Sequence, residues 1–502
     1  MRRRLRITAG FLVLAGLGFV LSAAAGGFDE LEKRVVEKTL PNGIHVILLP
    51  RGTAPVVTFV TYADVGSVDE EMGRTGLAHM FEHMAFKGSD TVGTRDVKKE
   101  LKAIEREDEA YLALRAERLR GRNADPEALK RLEEAFETAR AEAAEYSNSA
   151  EFGEIVERSG CPDLNAYTSL DQTVYPYSLP SNKIELWAAL ESDRFTNPVL
   201  REFYQERDVV MEERRMRYES NPSGKLFEEF LGVAYKAHPY GSIGIGHMSD
   251  LQNLTRRQAE EWFAKYYKGR NLVLAVVGDV APVTAMPIIE KHFSRVPPGE
   301  KTPAVVTREP EQKGERRTVI EDPSQPILYM GFHKPDINHP DNAAYEVLSG
   351  VLSNGRTSRL YRSLVKEKQL ALAAGSFTGL GEKYPGVFLF YAVPNKDRTN
   401  GETEAAIWAE LDRVREEAVP EEELAAYKAR ARAAFYGQLQ SNQGIAIQLA
   451  ENQALRGSWR AMFRNQRDLQ AVTPADLQRV ARETFRRTNL AVAEIRTTPA
   501  EN

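Results

Sequence analysis

Residues 254–280, LTRRQAEEWFAKYYKGRNLVLAVVGDV, return as residues 472–498, VTPADLQRVARETFRRTNLAVAEIRTT, with Thr255 matching Thr473 and Asn271 matching Asn489 at one offset of 218 positions. Each copy reads as an amphipathic helix, a short turn and an apolar strand. Such a unit cannot bury its apolar face alone, so a chain that holds it twice is constrained to two related halves. Nearer the starts of the halves, APVVTFV resembles QPILYMG, with Pro55 against Pro326 at an offset of 271. The first half is therefore longer by 271 − 218 = 53 residues.

The extra length is a run dense in Lys, Arg, Glu and Ala. Leu129, Leu132, Phe136, Ala139 and Ala143 step by three and four, and Leu112, Ala116 and Leu119 do the same in the preceding arm. That spacing predicts the seam of a helical hairpin. GRNADPEA separates its arms, with Asp125 as N-cap and Pro126 at the first helical position. The hairpin reads as a solvated spacer rather than a docking arm. Between the halves, RVPPGEKTPAVVTREPEQKGERR holds four prolines and many charges, a linker composition. KRVVEKTLPNGIHVILLP predicts a β-hairpin turning at Asn42-Gly43. The class is α+β (mixed α/β), duplicated.

The N-terminus differs from the rest: MRRRLR, then ITAGFLVLAGLGFVL, then SAAAGG. A basic, an apolar and a small-residue segment in that order predict a secretory signal cleaved near Ala25, with an uncleaved membrane anchor as the alternative. Secreted or periplasmic placement is the expectation, with no transmembrane span after cleavage. The expected organisation is a signal peptide over 1–25, a first domain over 33–294 with its hairpin at about 97–149, a linker over 295–317 and a second domain over 318–498. A net charge of −5 without a basic block excludes nucleic acid as a partner. Cys161 is the single cysteine, so no intramolecular disulfide can form.

The run RTGLAHMFEHMAFKGSD places His79, Glu82 and His83 within five residues, although the chain has only 8 histidines. On a helix, positions i and i+4 share a face and i+3 lies beside them, so both imidazoles can grip one ion while Glu82 reaches a ligand of that ion. With 8 His and 72 acidic residues in 502 positions, H-x-x-[DE]-H is expected about 0.02 times by chance. A catalytic zinc takes three protein ligands and keeps a position for water, and a carboxylate suits a His₂Glu set. FYQERDVVMEERRMRYESNP offers candidates: Glu206 and Glu213 share a helical face and Glu212 points elsewhere, but chemistry alone does not choose among the three.

GLAHMFEHMAFKGS, LNAYTSLDQTVY, ERDVVMEE and HPYG resemble the pitrilysin/insulinase family of zinc metallopeptidases, the inverzincins, which include the mitochondrial processing peptidase and bacterial periplasmic members. The resemblance is most specific in the first half; in the second, LSNGRTSRLYRSLVKEKQLALAAGSF looks like the corresponding segment. It implies two tandem processing-peptidase-like domains, each a mainly antiparallel sheet with packed helices. It implies one Zn²⁺ per chain held by His79, His83 and Glu213, Glu82 as general base, and Glu206 supporting the ligands from beside them. The separation of His83 from Glu213 exceeds the family's usual one, and the hairpin accounts for the excess. Asn165, Ala166, Tyr167 and Thr168 match a family edge strand near the metal, where an extended peptide substrate pairs by backbone hydrogen bonds.

Active family members also carry an Arg and a Tyr, seven residues apart, in the half without the motif, where they bind substrate and stabilise the oxyanion. Here that register holds Val365 and Leu372, and neither side chain can donate a hydrogen bond. Tyr361 and Arg362 lie nearby but out of register. Three readings follow. The chain is the zinc subunit of a heterodimer whose paralogous partner lacks the motif and supplies Arg and Tyr; or it is a self-sufficient homo-oligomeric peptidase using other donors; or it is a structural or binding subunit that retains a metal site. The missing donors favour the first, and the intact motif argues against the third. Peptides or unfolded polypeptides are the expected substrates.

Overall fold

A computed structural model describes residues 30–52 and 54–499. The expected signal segment lies outside the described residues. Among them, no helix is long and apolar enough to cross a membrane.

The chain forms two domains with mixed sheets. The first sheet has six strands: β1 (Val36–Thr39), β2 (His45–Pro50), β3 (Val56–Ala63), β4 (Tyr167–Thr168), β5 (Thr173–Pro180) and β6 (Leu272–Gly278), in the order β1-β2-β6-β3-β5-β4. The second has β7 (Arg316–Asp322), β8 (Leu328–Lys334), β9 (Ala371–Leu380), β10 (Gly386–Pro394) and β11 (Leu490–Thr497), in the order β7-β11-β8-β10-β9. Without β1 the two orders are the same. In each, one parallel pair (β2 with β6, β7 with β11) adjoins antiparallel neighbours. The expected first hairpin is β1–β2, closed through Gly43 at φ 93°, a conformation that costs glycine little.

The helices that position the site are α1 (Leu77–Met84), α2 (Val97–Arg118), α3 (Pro126–Tyr146), α4 (Ile184–Arg194), α5 (Phe203–Arg214), α6 (Pro222–Ala234), α7 (Arg256–Tyr266), α8 (Asn442–Arg456) and α9 (Pro474–Thr484). The repeated segments that define the duplication behave alike. Thr255 and Thr473 each cap their helix, α7 and α9, in a reciprocal capping box. Asn271 and Asn489 each donate a side-chain hydrogen bond to the carbonyl five residues back, on Tyr266 and Thr484. The halves then exchange helices: α6 of the first packs on β11 and β7, and α8 of the second packs on β3 and β6. Buried apolar residues from both halves share one core, with Ile495 and Leu389 beside Leu226 and Phe230.

The inserted hairpin is α2 and α3, with Asp125 capping α3 and Pro126 in its first turn. Two expectations about it change. The buried face of α2 is Ala103, Ile104, Glu107, Asp108, Tyr111 and Leu114, whereas Ala116 and Leu119 are exposed. The cause is tertiary: Tyr111 and Phe136 pack against Tyr204 of α5, tilted and edge-on, and the Tyr204 hydroxyl donates to Asp108 at 2.5 Å. The hairpin is thus rooted on α5, not a free spacer. Likewise the Pro-rich connection is strapped down, with Glu309 accepting from the backbone N–H groups of Lys236, Ala237 and His238.

Candidate metal centre

The motif helix α1 has two turns, too few to persist alone, and is buried through Leu77, Ala78, Met80, Phe81 and Met84. Gly76 precedes it and offers no capping side chain; the Glu70 carboxylate instead accepts from the N–H groups of Gly76 (2.9 Å) and Ala78 (2.7 Å). Helix α5 begins after Glu202, a non-glycine residue at φ 56°, and runs into a π-helical turn, Arg215–Glu219. α1 and α5 pack together, which sets His79 and His83 against Glu213.

The Glu213 Oε2 atom lies 3.8 Å from His79 Nε2 and 3.6 Å from His83 Nε2. One donor atom from each of the three residues falls within 4.8 Å of the others. Ligand atoms each about 2.1 Å from a tetrahedral zinc would be about 3.4 Å apart, so the arrangement and its two-imidazole, one-carboxylate chemistry fit that ion. Glu212, open as a candidate from sequence, is 60% exposed and paired with Arg215 at 2.8 Å. Glu206 is turned inward, its Oε1 2.9 Å from His83 Nδ1 and its Oε2 2.7 Å from Lys87. Arg217 holds the other oxygen of Glu213 at 2.7 Å.

Charge is arranged accordingly. Burial, then the neighbouring His83 and Arg217, pushes His79 down to about 3, leaving it neutral and able to ligate. For His83 burial works against the proton, but the Glu206 hydrogen bond and the charges of Glu206, Glu82 and Glu213 outweigh it and raise its pKa. Burial would raise Glu206, yet His83 and Lys87 hold it down at about 2. Glu82 is raised, chiefly by burial, against a hydrogen bond from Thr168. Its Oε2 is buried without a hydrogen-bond partner among the described residues.

These groups open into a cavity of about 1120 Å³ between the halves, which Asn165, Ala166, Tyr167 and Thr168 also line. β4 is the edge of its sheet, but only Tyr167 and Thr168 pair with β5, so Asn165 and Ala166 leave the ladder. The second half contributes Gly379, Leu380, Gly381, Glu382, Glu451 and Leu455 to the lining. Val365, Leu372, Tyr361 and Arg362 are not among the lining residues; Arg362 is exposed beside Glu367. The second half is clamped at this wall through Asp171, which accepts from the backbone N–H groups of Glu382 (2.7 Å) and Lys383 (3.2 Å). Sequence reading missed Lys87, Arg217, Asp171, Glu382 and Glu451. Only Lys87, four residues after His83, and Arg217, four after Glu213, carried a local signal.

Residues 46–115 and 139–246 match the family description "Insulinase (Peptidase family M16)", and residues 253–431 match "Peptidase M16 inactive domain". The interruption falls within the hairpin. The chain is 29% identical to the zinc protease PqqE of Helicobacter pylori over 486 residues, 95% of this chain and 96% of that one. It is 24% identical over 475 residues to a probable mitochondrial-processing peptidase subunit beta of Schizosaccharomyces pombe, 91% and 90% of the two chains. The crystal structure of a protease from Helicobacter pylori superposes with a TM-score of 0.78 at 27% identity, covering 92% of this chain and 99% of that one. With two matching domain descriptions, these relatives and the same two-domain fold, the chain belongs to the pitrilysin/insulinase family of zinc peptidases.

Proposed function

We propose that this chain is a zinc-dependent endopeptidase acting on peptides or unfolded polypeptides, and that it is the metal-bearing subunit of a heterodimer. The observation that carries the reading is the convergence of His79, His83 and Glu213 donor atoms beside the buried Glu82 carboxylate, at the wall of an inter-domain cavity. His79, His83 and Glu213 would hold one zinc ion, which when bound acidifies a water and polarises a carbonyl. Glu82 takes the proton of the attacking water and passes it to the leaving amine nitrogen. An extended peptide adds to the β4 edge at Tyr167, with Asn165 and Ala166 beside it. Glu206 fixes His83 through its Nδ1 atom.

The heterodimer is supported by the far wall, to which the second half brings two carboxylates and apolar or glycine residues but no cationic or phenolic side chain among the described residues. A paralogous partner lacking the motif would supply Arg and Tyr donors. Export through the N-terminal segment completes the proposal, and the mass of the mature chain tests it. For the chemistry, Glu82→Gln is expected to keep about one zinc per chain and lose hydrolysis of an unstructured peptide by about 10²–10⁴-fold. Normal cleavage by that variant removes Glu82 as the base. Full turnover by the pure wild-type chain removes the heterodimer.

A further inference from the structure

The insertion and the metal centre share a line of contacts. His83 Nδ1 lies 2.9 Å from Glu206 Oε1. Glu206 Oε2 accepts from Lys87 Nζ at 2.7 Å, and the same ammonium reaches Glu202 Oε2 at 3.3 Å. Glu202 Oε1 in turn accepts from the hydroxyl of Ser147 at 2.7 Å, and Ser147 is the residue that ends α3. None of the side chains of His83, Lys87, Glu202 and Glu206 is more than 21% exposed, so water screens these contacts poorly.

The backbone around Lys87 is fixed from the same root. Arg201, 1% exposed, pairs with Glu100 of α2 at 2.7 Å and donates to the carbonyls of Lys87, Ser89 and Val92. Thr94 bridges Ser147, and Asn148 N–H donates to Gly93. Glu202 adopts φ 56°, a backbone conformation that costs a non-glycine residue energy and persists where its surroundings over-determine it. Its side chain has partners on both sides, and the unusual backbone aims it at both.

We infer that the root of the inserted hairpin is part of the metal centre, with Lys87 and Glu202 acting as positioning residues that hold Glu206, and through it the His83 imidazole, in the orientation that ligates. Lys87 is the hinge of this line: it neutralises two carboxylates at once, so that Glu206 offers its other oxygen to His83. Glu202 acts only through Lys87, and Ser147 only through Glu202. The inference rests on the metal-site reading above and adds to it a task for the insertion.

The test uses the full chain and zinc itself. Zinc affinity is measured by competition with a chromophoric chelator, and ligand geometry by the visible spectrum of the cobalt(II)-loaded protein. Lys87→Met is expected to weaken zinc about tenfold and Glu202→Gln about threefold, with altered cobalt bands. Arg106→Ala, which breaks the exposed Arg106–Glu142 pair on the same hairpin, leaves both readouts unchanged. Wild-type affinity and spectrum in Lys87→Met and Glu202→Gln overturn the inference. Failure of the wild-type chain to bind zinc overturns the metal-site reading instead. Should a charge variant fail to fold, Ser147→Ala removes one hydroxyl and no charge: about a twofold weakening supports the relay, and wild-type affinity overturns it.

Discussion

Replacing Arg194 is expected to destabilise the first domain more than almost any surface-charge change. Its side chain is 1% exposed at the end of α4, and its one ion-pair partner among the described residues, Glu191 at 2.8 Å, is fully buried. Four rings surround the guanidinium, with centroids 5.4 Å (Phe86), 5.1 Å (Phe152), 4.6 Å (Tyr175) and 4.9 Å (Phe195) away. Glu191 also accepts from the Tyr177 hydroxyl at 2.9 Å. Arg194→Met keeps apolar bulk but strands the Glu191 charge, a change that costs about 3–5 kcal/mol. Loss of the desolvated cation–π contacts acts in the same direction, at about 2 kcal/mol. An overall cost of about 6 kcal/mol lowers Tm by about 15 °C in a domain of this size. The double variant Glu191→Gln/Arg194→Met removes both charges and is expected to return to within about 1–2 kcal/mol of wild type, because a buried pair is worth far less than either orphan costs. Chemical denaturation at neutral pH, followed by near-UV circular dichroism, supplies all four corners of the cycle. A single variant within about 1 kcal/mol of wild type, or a double variant as unstable as the sum of the singles, refutes the reasoning.

Other outcomes follow from the same physics. Burial, then the charge of Asp108, raises Glu107 from 4.5 to about 7, so the native state keeps a proton that the unfolded chain loses above 4.5. Glu107 therefore favours the native state fully below pH 4.5, and that contribution, about 3 kcal/mol, is lost as pH rises to about 7; Glu107→Gln should flatten this fall in denaturation curves taken across the window. In Gly350→Ala the new Cβ would stand 1.9 Å from the Tyr427 ring, so a thermal melt should show a loss of about 1–3 kcal/mol. Chelating zinc is expected to end peptide hydrolysis while far-UV circular dichroism stays unchanged, since neither sheet rests on the site. Zinc affinity should be weaker at about pH 6 than at about pH 8 in a competition titration, because His83, whose pKa is raised, must lose its Nε2 proton to ligate while Nδ1 stays engaged with Glu206.

What could be read in the sequence was what is local. The capped helix, turn and strand around Thr255–Asn271 and Thr473–Asn489 depend on hydrogen bonds a few residues long, so their repetition gave away the duplication. His79 and His83 meet because helix geometry alone brings i and i+4 together. The choice among Glu206, Glu212 and Glu213 depends on how α5 is rotated against α1, and that is a packing outcome. The face of α2 was misread for a related reason: Glu107 and Asp108 are buried, and a hydropathy pattern assigns acids to solvent. Asp108 is acceptable there because Tyr204 and Arg256 satisfy it. The wall made by Asp171, Glu382 and Glu451 joins residues from three distant segments, and nothing in any one of them marks it.

Why only one domain carries the motif can be argued from the two repeat offsets. At an offset of 271, His79, Glu82 and His83 fall on Gly350, Ser353 and Asn354; at 218, Glu206 and Glu213 fall on Leu424 and Ala431. The second domain thus lacks every group of the set, and its core shows what stands in their places. Leu424 and Tyr427 pack with Leu348, Val351 and Leu352, with Ala431 against the same cluster. The Tyr427 ring lies so close to Gly350 that no Cβ fits between them. The place that corresponds to the first imidazole is filled by an aromatic side chain from the helix that corresponds to α5. Restoring histidines to Gly350 and Asn354 would therefore not rebuild a metal site without removing Tyr427 as well. The second domain instead serves the first by exchanging α8 for α6 and by presenting Glu451 and Leu455 of α8 to the cavity.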